Sequence, residues 1–386
     1  MLPLSYNIKS IAIRWKSALL AIIGISLVVA VFLCLLAMAS GFQLALRATG
    51  SNQNALVLQE GSQSELSSSF PKDAGDRVAV DRRIARGVDG KPLVSPELVT
   101  IVALPRRADG ELSNVTVRGV TPAAFNVRNG LRIIEGRNLK PGLYEVVVGR
   151  GVQARIRGLA VGQRIKMMKR EFDIVGVMDA DGSAFESEIW GDFDAMGSAF
   201  NLAGTENSLT LRLADRSSMP GFDKELRENP QVQLQMTSER QYYEDQAGAL
   251  TGFLRALAIF VSVVMGTGAV FGAMNTMNAI VAARSREVGT LRALGFSRAI
   301  ILSAFVLEGL TLALAGGVIG CILSLLVNGL QATTTANMGE IAFAFRVTPL
   351  NLGYGLTFAA TMGVIGSLLP AFRAARLPIV VALREA

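Results

Sequence analysis

The 386-residue chain contains no histidine and only two cysteines, Cys34 and Cys321. Without histidine, neither a Ser-His-Asp triad nor a Cys-His pair can form, and the mixed ligand sets of most zinc sites are incomplete. Both cysteines fall within long apolar segments, where small packing residues are more typical than a disulfide or a metal site. The sequence therefore offers no catalytic constellation and predicts no bound metal.

A phosphate-binding loop is also absent. The one Gly-Lys pair is Gly90-Lys91, which is followed by Pro92 and has no glycine five residues before Gly90. A loop that cradles nucleotide phosphates needs glycine at both places. We therefore predict no ATP site and no cofactor in this chain, so nucleotide-driven work would require another polypeptide.

Charge is sparse, because Asp, Glu, Lys and Arg make up only 18% of the residues, and long stretches have none. Residues 17–46, 256–283 and 347–372 carry no formal charge, and Glu308 is the one charge within 299–339. A helix needs about 20 apolar residues to cross the hydrocarbon core of a bilayer. The sequence therefore predicts four transmembrane helices.

The first apolar segment has an alternative interpretation as a cleaved secretory leader. Basic residues precede it, and Ala37-Met38-Ala39 resembles a small-residue cleavage site. The apolar region of a leader is usually about 7–15 residues long, whereas the uncharged stretch here is roughly twice that length. We therefore predict that this helix is retained.

The basic residues near the apolar segments indicate an orientation. They are concentrated in the first 16 residues, in the turn 283–298 and in the tail after residue 371. Short cytoplasmic loops are enriched in Lys and Arg, so both termini and this turn are predicted to be cytoplasmic. The net charge of +7 is thus explained mainly by topology, and no nucleic-acid partner is predicted.

The predicted fold class is membrane α-helical, with four transmembrane helices and a mixed α/β extracytoplasmic domain inserted between helices 1 and 2. The predicted segments are a cytoplasmic N-terminus (1–17), transmembrane helix 1 (18–40), the extracytoplasmic domain ending in a helical stalk (41–250), transmembrane helix 2 (251–282), a cytoplasmic coupling loop (283–298), transmembrane helix 3 (299–329), a short extracytoplasmic loop (330–350), transmembrane helix 4 (351–371) and a cytoplasmic tail (372–386).

Short β-branched runs separated by Gly, Pro and Asn predict strands in the outer domain. The runs are Ala55–Gln59, Leu98–Leu104, Asn114–Val120, Leu131–Glu135, Glu145–Gly149, Phe172–Met178 and Ser208–Leu213. The Ser- and Gly-rich stretch Glu60–Asp76 is predicted to be a mobile loop. Ser238–Gln246 lacks Gly and Pro, and it either continues as a stalk into the second span or forms a short juxtamembrane helix.

Two features inside the spans concern packing and charge. Glycines recur at four-residue spacing, which favours close approach of helices within one subunit or between two. These pairs are Gly268 and Gly272 in the second span, and Gly316 and Gly320 in the third. Glu308 is an intramembrane carboxylate, which suggests a functional site. The alternative that we favour is a structural hydrogen bond to a neighbouring helix, with the carboxyl group charged or protonated.

The turn 283–298 is longer than a simple connection requires. Val288, Leu291 and Leu294 recur at helical spacing among arginines, and Gly295 follows them. This pattern predicts a short amphipathic helix that ends at the glycine. Such a helix either lies on anionic lipid or docks onto a cytoplasmic partner.

Residues 286–295, Arg-Glu-Val-Gly-Thr-Leu-Arg-Ala-Leu-Gly, resemble the signature of the FtsX/MacB-like ABC transporter permease family, which includes lipoprotein-releasing LolC/LolE-type permeases. Glu308-Gly309 with Gly316-Gly317, and the C-terminal Pro370-Ala371 with Ala382-Leu383-Arg384, are similar to the same family. More diffuse likenesses in the outer domain are Val117–Pro122, Gly136-Arg137 and Glu145–Gly149. Leu377 departs from the pattern, because many members carry an acidic residue there.

The resemblance implies a permease subunit that works as a dimer with two cytoplasmic ATPase subunits, on which ATP and Mg²⁺ are bound. It also implies a bacterial inner-membrane location. The coupling surface is then predicted to consist of Arg286, Glu287, Gly289, Leu291, Ala293 and Leu294.

Two functions fit this family resemblance. In the first, ATPase closure moves the outer domain and drives export or extraction of an amphipathic cargo such as a lipoprotein, lipid, peptide or drug. In the second, the moving domain regulates a cell-wall hydrolase without passing cargo. The expected outer partner is accordingly an adaptor, a lipoprotein or a hydrolase.

Overall fold

The computed structural model describes residues 15–128, 130–336 and 339–378. Its internal contacts divide the chain into two units. The membrane unit contains the residues up to Gly41, Thr251–Leu330 and the residues from Phe345 onward, whereas the outer unit contains Phe42–Leu250 and Gln331–Ala344. Residues 1–14 and 379–386 of the predicted cytoplasmic termini, with Arg384 among them, lie outside the described residues.

The helices fall into a long apolar set and a short set. In chain order they are α1 (Trp15–Thr49), α2 (Lys72–Ala79), α3 (Ala124–Val127), α4 (Arg150–Arg155), α5 (Phe193–Phe200), α6 (Met219–Glu228), α7 (Glu239–Ala283), α8 (Ser285–Ala293), α9 (Arg298–Leu325) and α10 (Pro349–Arg376). Within the described residues, α1, α7, α9 and α10 are long and apolar enough to cross a membrane.

The long helices differ from the predicted segments mainly in length. Helix α1 continues to Thr49, beyond the end of its predicted span at residue 40. Helix α7 runs without a break from Glu239 to Ala283, so Ser238–Gln246 leads into the continuous helix rather than a separate short one. Helices α9 and α10 begin at side-chain caps, in which Ser297 and Thr348 accept hydrogen bonds from backbone N–H groups of the first turn.

Glycines let helices of the membrane unit approach closely. A Cβ atom at Gly320 would lie 2.7 Å from the Ser26 carbonyl oxygen of α1, and Gly316 has a similar lack of space against the same helix. Helix α9 also meets α10 closely, because a Cβ atom at Gly309 would lie 2.4 Å from the Ser367 Cβ atom. Small residues thus permit the backbone contact that holds α9 between α1 and α10.

The outer unit is built on one mixed ten-stranded sheet. The strands of the chain are β1 (Asn54–Gln59), β2 (Phe70–Pro71), β3 (Val94–Pro105), β4 (Leu112–Val120), β5 (Arg132–Gly136), β6 (Glu145–Gly149), β7 (Arg164–Met167), β8 (Arg170–Asp179), β9 (Glu188–Asp192), β10 (Thr205–Glu206), β11 (Ser208–Arg212), β12 (Leu234–Ser238), β13 (Gln331–Ala336) and β14 (Gly339–Ala344). The large sheet has the order β12-β1-β11-β3-β4-β9-β6-β8-β5, with β7 beside β8.

Apolar side chains form two cores on this sheet. One core gathers β1, β11 and β12 under α2 and α6, with Phe222 and Leu234 among its buried members. The other gathers β4, β6, β8 and β9 with α4, around residues such as Val148 and Phe172. The runs of the sequence that predicted strands correspond to β1, β3, β4, β5, β6, β8 and β11.

The outer unit also contains a buried ionic cluster. This ionic cluster consists of Glu65, Glu97, Arg118, Arg128, Glu188 and Glu239. Arg118 donates to Glu65, Glu97 and Glu188 at 2.7–2.8 Å. Burial opposes ionisation of Glu65, yet the Arg118 guanidinium outweighs it and holds the pKa of Glu65 below its ordinary value.

The same cluster includes the first residue of α7. Glu239 accepts hydrogen bonds from Arg128 Nε at 2.9 Å, from Asn54 Nδ2 at 3.0 Å and from the Ser51 N–H at 3.1 Å. Asn54 and Ser51 lie just after the end of α1. One carboxylate therefore fastens the start of α7 to the chain that leaves α1 and to the buried arginine.

The segment 330–350 contains a hairpin where a short loop was predicted. Strands β13 and β14 pair with each other and belong to the outer unit. The Ala342 N–H donates to Ser187 Oγ at 2.9 Å, and the Phe343 ring packs edge-on against Phe42 at 5.6 Å between centroids. The outer unit is thus assembled from two separate parts of the chain.

The stretch Glu60–Asp76 was predicted to be a mobile loop, but it contains regular structure. It contains a 3₁₀ turn at Glu65–Ser67, strand β2 and the start of α2. Glu65 is buried in the ionic cluster, and its N–H donates to Tyr242 Oη at 3.0 Å. The Ser and Gly content correctly indicated turns in this stretch. It did not indicate that Glu65 is buried and bonded to Arg118.

Candidate coupling site

The turn 283–298 folds as helix α8, which is separated from α7 by a single non-helical residue. Arg284 occupies this break with φ −116° and ψ 15°. Its carbonyl still accepts the Val288 N–H at 3.0 Å, so it begins the next helix while ending the regular geometry of the previous one. The break lets α8 take its own direction after a continuous α7.

The end of α8 is fixed by a Schellman motif. The Gly295 N–H donates to the Arg292 carbonyl and the Phe296 N–H donates to the Leu291 carbonyl, both at 3.1 Å. Gly295 has φ +92°, a conformation that side-chain-bearing residues rarely adopt. Ser297 then caps α9, so the Gly-Phe-Ser sequence ends one helix and starts the next.

One face of α8 is buried in the membrane unit. Val288 is only 3% exposed and packs in a core with residues of α7, α9 and α10. Gly289 is buried beside it. Of the apolar positions that predicted an amphipathic helix, Val288 therefore serves as an anchor.

A buried ion pair supports the start of α8. Arg284 Nη1 lies 3.0 Å from Glu308 Oε2 of α9, and the two residues are 8% and 1% exposed. Arg284 Nε also lies 3.1 Å from Glu287 Oε2, and the guanidinium lies 5.4 Å from the centre of the Phe305 ring. Glu308 thus meets a charged partner from the α7–α8 junction.

A second polar contact supports the last turn of α8. Arg292 Nη1 donates to the Ala375 carbonyl oxygen at 2.7 Å. Ala375 lies in the final turn of α10, where carbonyl groups lack helical partners and the helix dipole favours a cation. Helix α8 is therefore attached to α9 near its start and to α10 near its end.

The six predicted coupling residues do not form one surface. Arg286, Ala293 and Leu294 are exposed, with 72% of the Leu294 surface accessible. Leu291 is half-buried beside them, whereas Gly289 lies on the buried face and Glu287 pairs with Arg284. The accessible part is therefore an apolar tip, Leu291, Ala293 and Leu294, with Arg286 one to two turns before it.

The four glycines that were predicted to pack helices together differ in their surroundings. Gly316 and Gly320 lie against α1, as described above. A Cβ atom at Gly268 or Gly272 would meet no atom within 4 Å in the described part of the chain. These two glycines of α7 are thus open on the surface of the membrane unit.

Sequence reasoning missed the roles of Arg284 and Arg292. Arg284 was counted only as a basic residue that orients the chain, and Arg292 was part of the resemblance motif without a role of its own. One available signal was Glu308, because a carboxylate inside a span requires a partner. The other was the resemblance motif itself, in which Arg292 lies between Leu291 and Ala293.

Two protein-family models match the chain. A MacB-like periplasmic core domain matches residues 18–229, which is more than half of the chain. An FtsX-like permease C-terminal domain matches residues 259–379 and so contains all of α8, α9 and α10.

Individual relatives are more distant. The chain is 24% identical over 339 residues to the macrolide export ATP-binding/permease protein MacB of Neisseria meningitidis serogroup A, covering 79% of the chain and 50% of that protein. It is 27% identical over 265 residues to an uncharacterized ABC transporter permease of Methanocaldococcus jannaschii, covering 66% of each. The chain thus spans about half the length of the MacB relatives that it matches.

Among solved structures, the periplasmic region of MacB from Actinobacillus actinomycetemcomitans is similar to part of the chain. The identity is 14% and the TM-score is 0.38, covering 52% of this chain and 94% of that one.

Proposed function

The chain belongs to the MacB/FtsX-like family of ABC transporter permeases, and we propose that it is the membrane subunit through which a separate ATPase moves the outer unit. In this proposal the complex contains two ATPase subunits and a second permease, either another copy or a related chain. In the same proposal ATP and Mg²⁺ bind to the ATPase subunits and not to residues 1–386, in which no phosphate-binding loop occurs. The complex lies in a bacterial inner membrane with both permease termini in the cytoplasm.

The observation that carries this proposal is the construction of α8. Val288 anchors its inner face, Arg284 and Arg292 attach its two ends to neighbouring helices, and Leu294 at its tip is 72% exposed. A helix that only lay on lipid would gain little from polar attachment to two neighbouring helices. A rigidly attached helix with an accessible apolar tip is suited to receive a partner and to pass on its movement.

The proposed cargo is amphipathic, such as a lipoprotein, lipid, peptide or drug. The MacB relative from Neisseria meningitidis is named for macrolide export, which supports this class without selecting a member of it. A hydrolase that binds the outer unit, with no cargo moved, would instead favour the regulatory alternative.

The proposed docking surface is tested by placing a charge at the apolar tip of α8. Leu294→Asp is expected to lower co-purification of the ABC ATPase and its stimulated ATP hydrolysis in nanodiscs by more than tenfold. Losing a buried leucine contact costs about 2 kcal/mol, and burying the new carboxylate adds to that cost.

The matched control is Leu112→Asp in the outer unit, because Leu112 is 70% exposed and does not belong to α8. This control should retain the complex and its hydrolysis. Full ATPase binding and stimulation in the Leu294 variant would refute the proposed docking surface.

A further inference from the structure

We propose that the buried Arg284–Glu308 pair makes α8 and α9 move as one piece, so that a push on α8 reaches the membrane helices. This inference rests on the proposed function, and it assigns a positioning role to two buried residues, Arg284 and Glu308. The pair is distinct from the exposed tip, because both side chains are buried inside the membrane unit.

The need for such a link arises from the backbone. Arg284 interrupts the regular helical geometry between α7 and α8, and Gly295 interrupts it again between α8 and α9. Breaks of this kind are where a chain can bend, because the repeating hydrogen bonds are lost there. Side-chain contacts must therefore supply the stiffness that a continuous helix would have.

Arg284 supplies that stiffness from the first break. Its guanidinium reaches Glu287 within α8 and Glu308 on α9, at 3.1 Å and 3.0 Å. A planar guanidinium can hold two carboxylates in fixed directions, which a lysine ammonium does not. One side chain thus joins the first turn of α8 to a helix that begins after the second break.

The two carboxylates differ in burial, and this difference decides which bond transmits force. The Glu287 side chain is 56% exposed, so water competes for its bond, whereas the Glu308 side chain is 2% exposed. An ion pair shielded from water is stronger and less screened. The Arg284–Glu308 bond is therefore the stiff one, and Arg292 bonded to the Ala375 carbonyl completes the attachment.

The first measurement is the distance between spin labels on α8 and α9. Labels are placed at Thr290 and Leu314 in a chain whose Cys34 and Cys321 are replaced by alanine, and the protein is held in nanodiscs without an ATPase. The unsubstituted chain and Glu287→Gln should give one narrow distribution. Glu308→Gln, which keeps the shape but removes the charge, should give a distribution at least twice as broad.

The second measurement separates docking from transmission. Glu308→Gln should change the affinity for the co-purifying ABC ATPase by less than about twofold. It should lower the stimulated rate of ATP hydrolysis at least fivefold. Thr311→Val is the matched control on α9, because the Thr311 hydroxyl bonds only to the Glu308 carbonyl of its own helix in the described contacts. The double variant Arg284→Met, Glu308→Met removes both charges and leaves neither partner of the pair buried alone, so it should fold. It should bind the ATPase but fail to stimulate ATP hydrolysis.

The outcomes distinguish this inference from the proposed function. A narrow distribution and full stimulation in Glu308→Gln, or full stimulation in the double Met variant, would overturn the inference. If Leu294→Asp binds and stimulates the ATPase normally, the docking surface fails, while the label distances still decide whether the pair joins α8 to α9.

Discussion

Charged residues of the outer unit differ in whether the fold provides them with a partner. Glu65 is buried but accepts hydrogen bonds from Arg118 and Ser208. Glu206 is equally buried, yet its Oε2 atom finds no hydrogen-bond donor among the described residues. Burial and the neighbouring Asp76 raise the pKa of Glu206 to about 8. The first carboxylate is thus held charged, and the second is held neutral at neutral pH.

Glu206 should make stability depend on pH. Its carboxyl group loses its proton near 4.5 in the unfolded chain but only near 8 in the folded chain, so stability falls as pH rises between these values. Glu206→Gln should remove this slope and stabilise the outer unit at pH 8 by on the order of 1–2 kcal/mol after allowance for screening. Thermal unfolding from pH 5 to pH 9 checks this.

The control for that experiment is Glu60→Gln, since Glu60 is exposed in the same unit. It should leave the pH slope in place. Identical slopes in Glu206→Gln and the unsubstituted chain would contradict the assignment.

At the scale of elements, the small residues of the membrane helices have different surroundings despite the same spacing. Gly320→Ala places a Cβ atom 2.7 Å from the α1 backbone, whereas Gly268→Ala meets nothing within 4 Å. We expect Gly320→Ala to destabilise the membrane unit by about 1–3 kcal/mol through overpacking. Gly268→Ala should be neutral or slightly stabilising, because alanine favours a helix.

Thermal stability of both glycine variants in detergent tests this difference. A loss of stability in Gly268→Ala alone would show that the α7 surface is packed in the isolated protein and that the α1–α9 contact tolerates a methyl group.

The elements that the sequence predicted well are those with a local signal. Apolar length predicted the long helices, and β-branched runs predicted most of the large sheet. The hairpin of β13 and β14 has a weaker signal, because its three β-branched threonines lie between Gln and Ala and no apolar run surrounds them; its strands pair with each other and contact Ser187. The anchoring of α8 was missed because Arg284 and Glu308 are 24 residues apart.

At the scale of the whole molecule, the ionic cluster joins segments that are far apart in the chain. Glu65 and Glu188 lie 53 and 70 residues from Arg118, and both bond to it. No pattern within a short stretch of the sequence predicts such a cluster. The outer-domain resemblance contained Arg118 within Val117–Pro122 but assigned it no contact, so its role became visible only in the fold.

Arg118 should be essential for the stability of the outer unit. Arg118→Met leaves buried carboxylates without their main cation and should lower the free energy of unfolding by about 3–5 kcal/mol. Urea unfolding of the full chain with Trp15→Phe in nanodiscs, followed by the fluorescence of buried Trp190, measures this loss, because Trp190 donates to Glu188 of the cluster.

The comparison is Arg132→Met, since the Arg132 side chain is 65% exposed and pairs with Asp181 at the surface. This change should cost less than about 1 kcal/mol. Equal losses in the two variants would show that the cluster contributes no more than a surface ion pair.

The position of Glu239 at the first residue of α7 has a consequence for how that helix can turn. Successive residues of a helix are about 100° apart around its axis, so a rotation of that size would carry Glu239 away from Arg128, Asn54 and the Ser51 N–H together. A small tilt about the same residue need not break these bonds. The contacts therefore fix the rotation of the first turn of α7 about the helix axis within the outer unit.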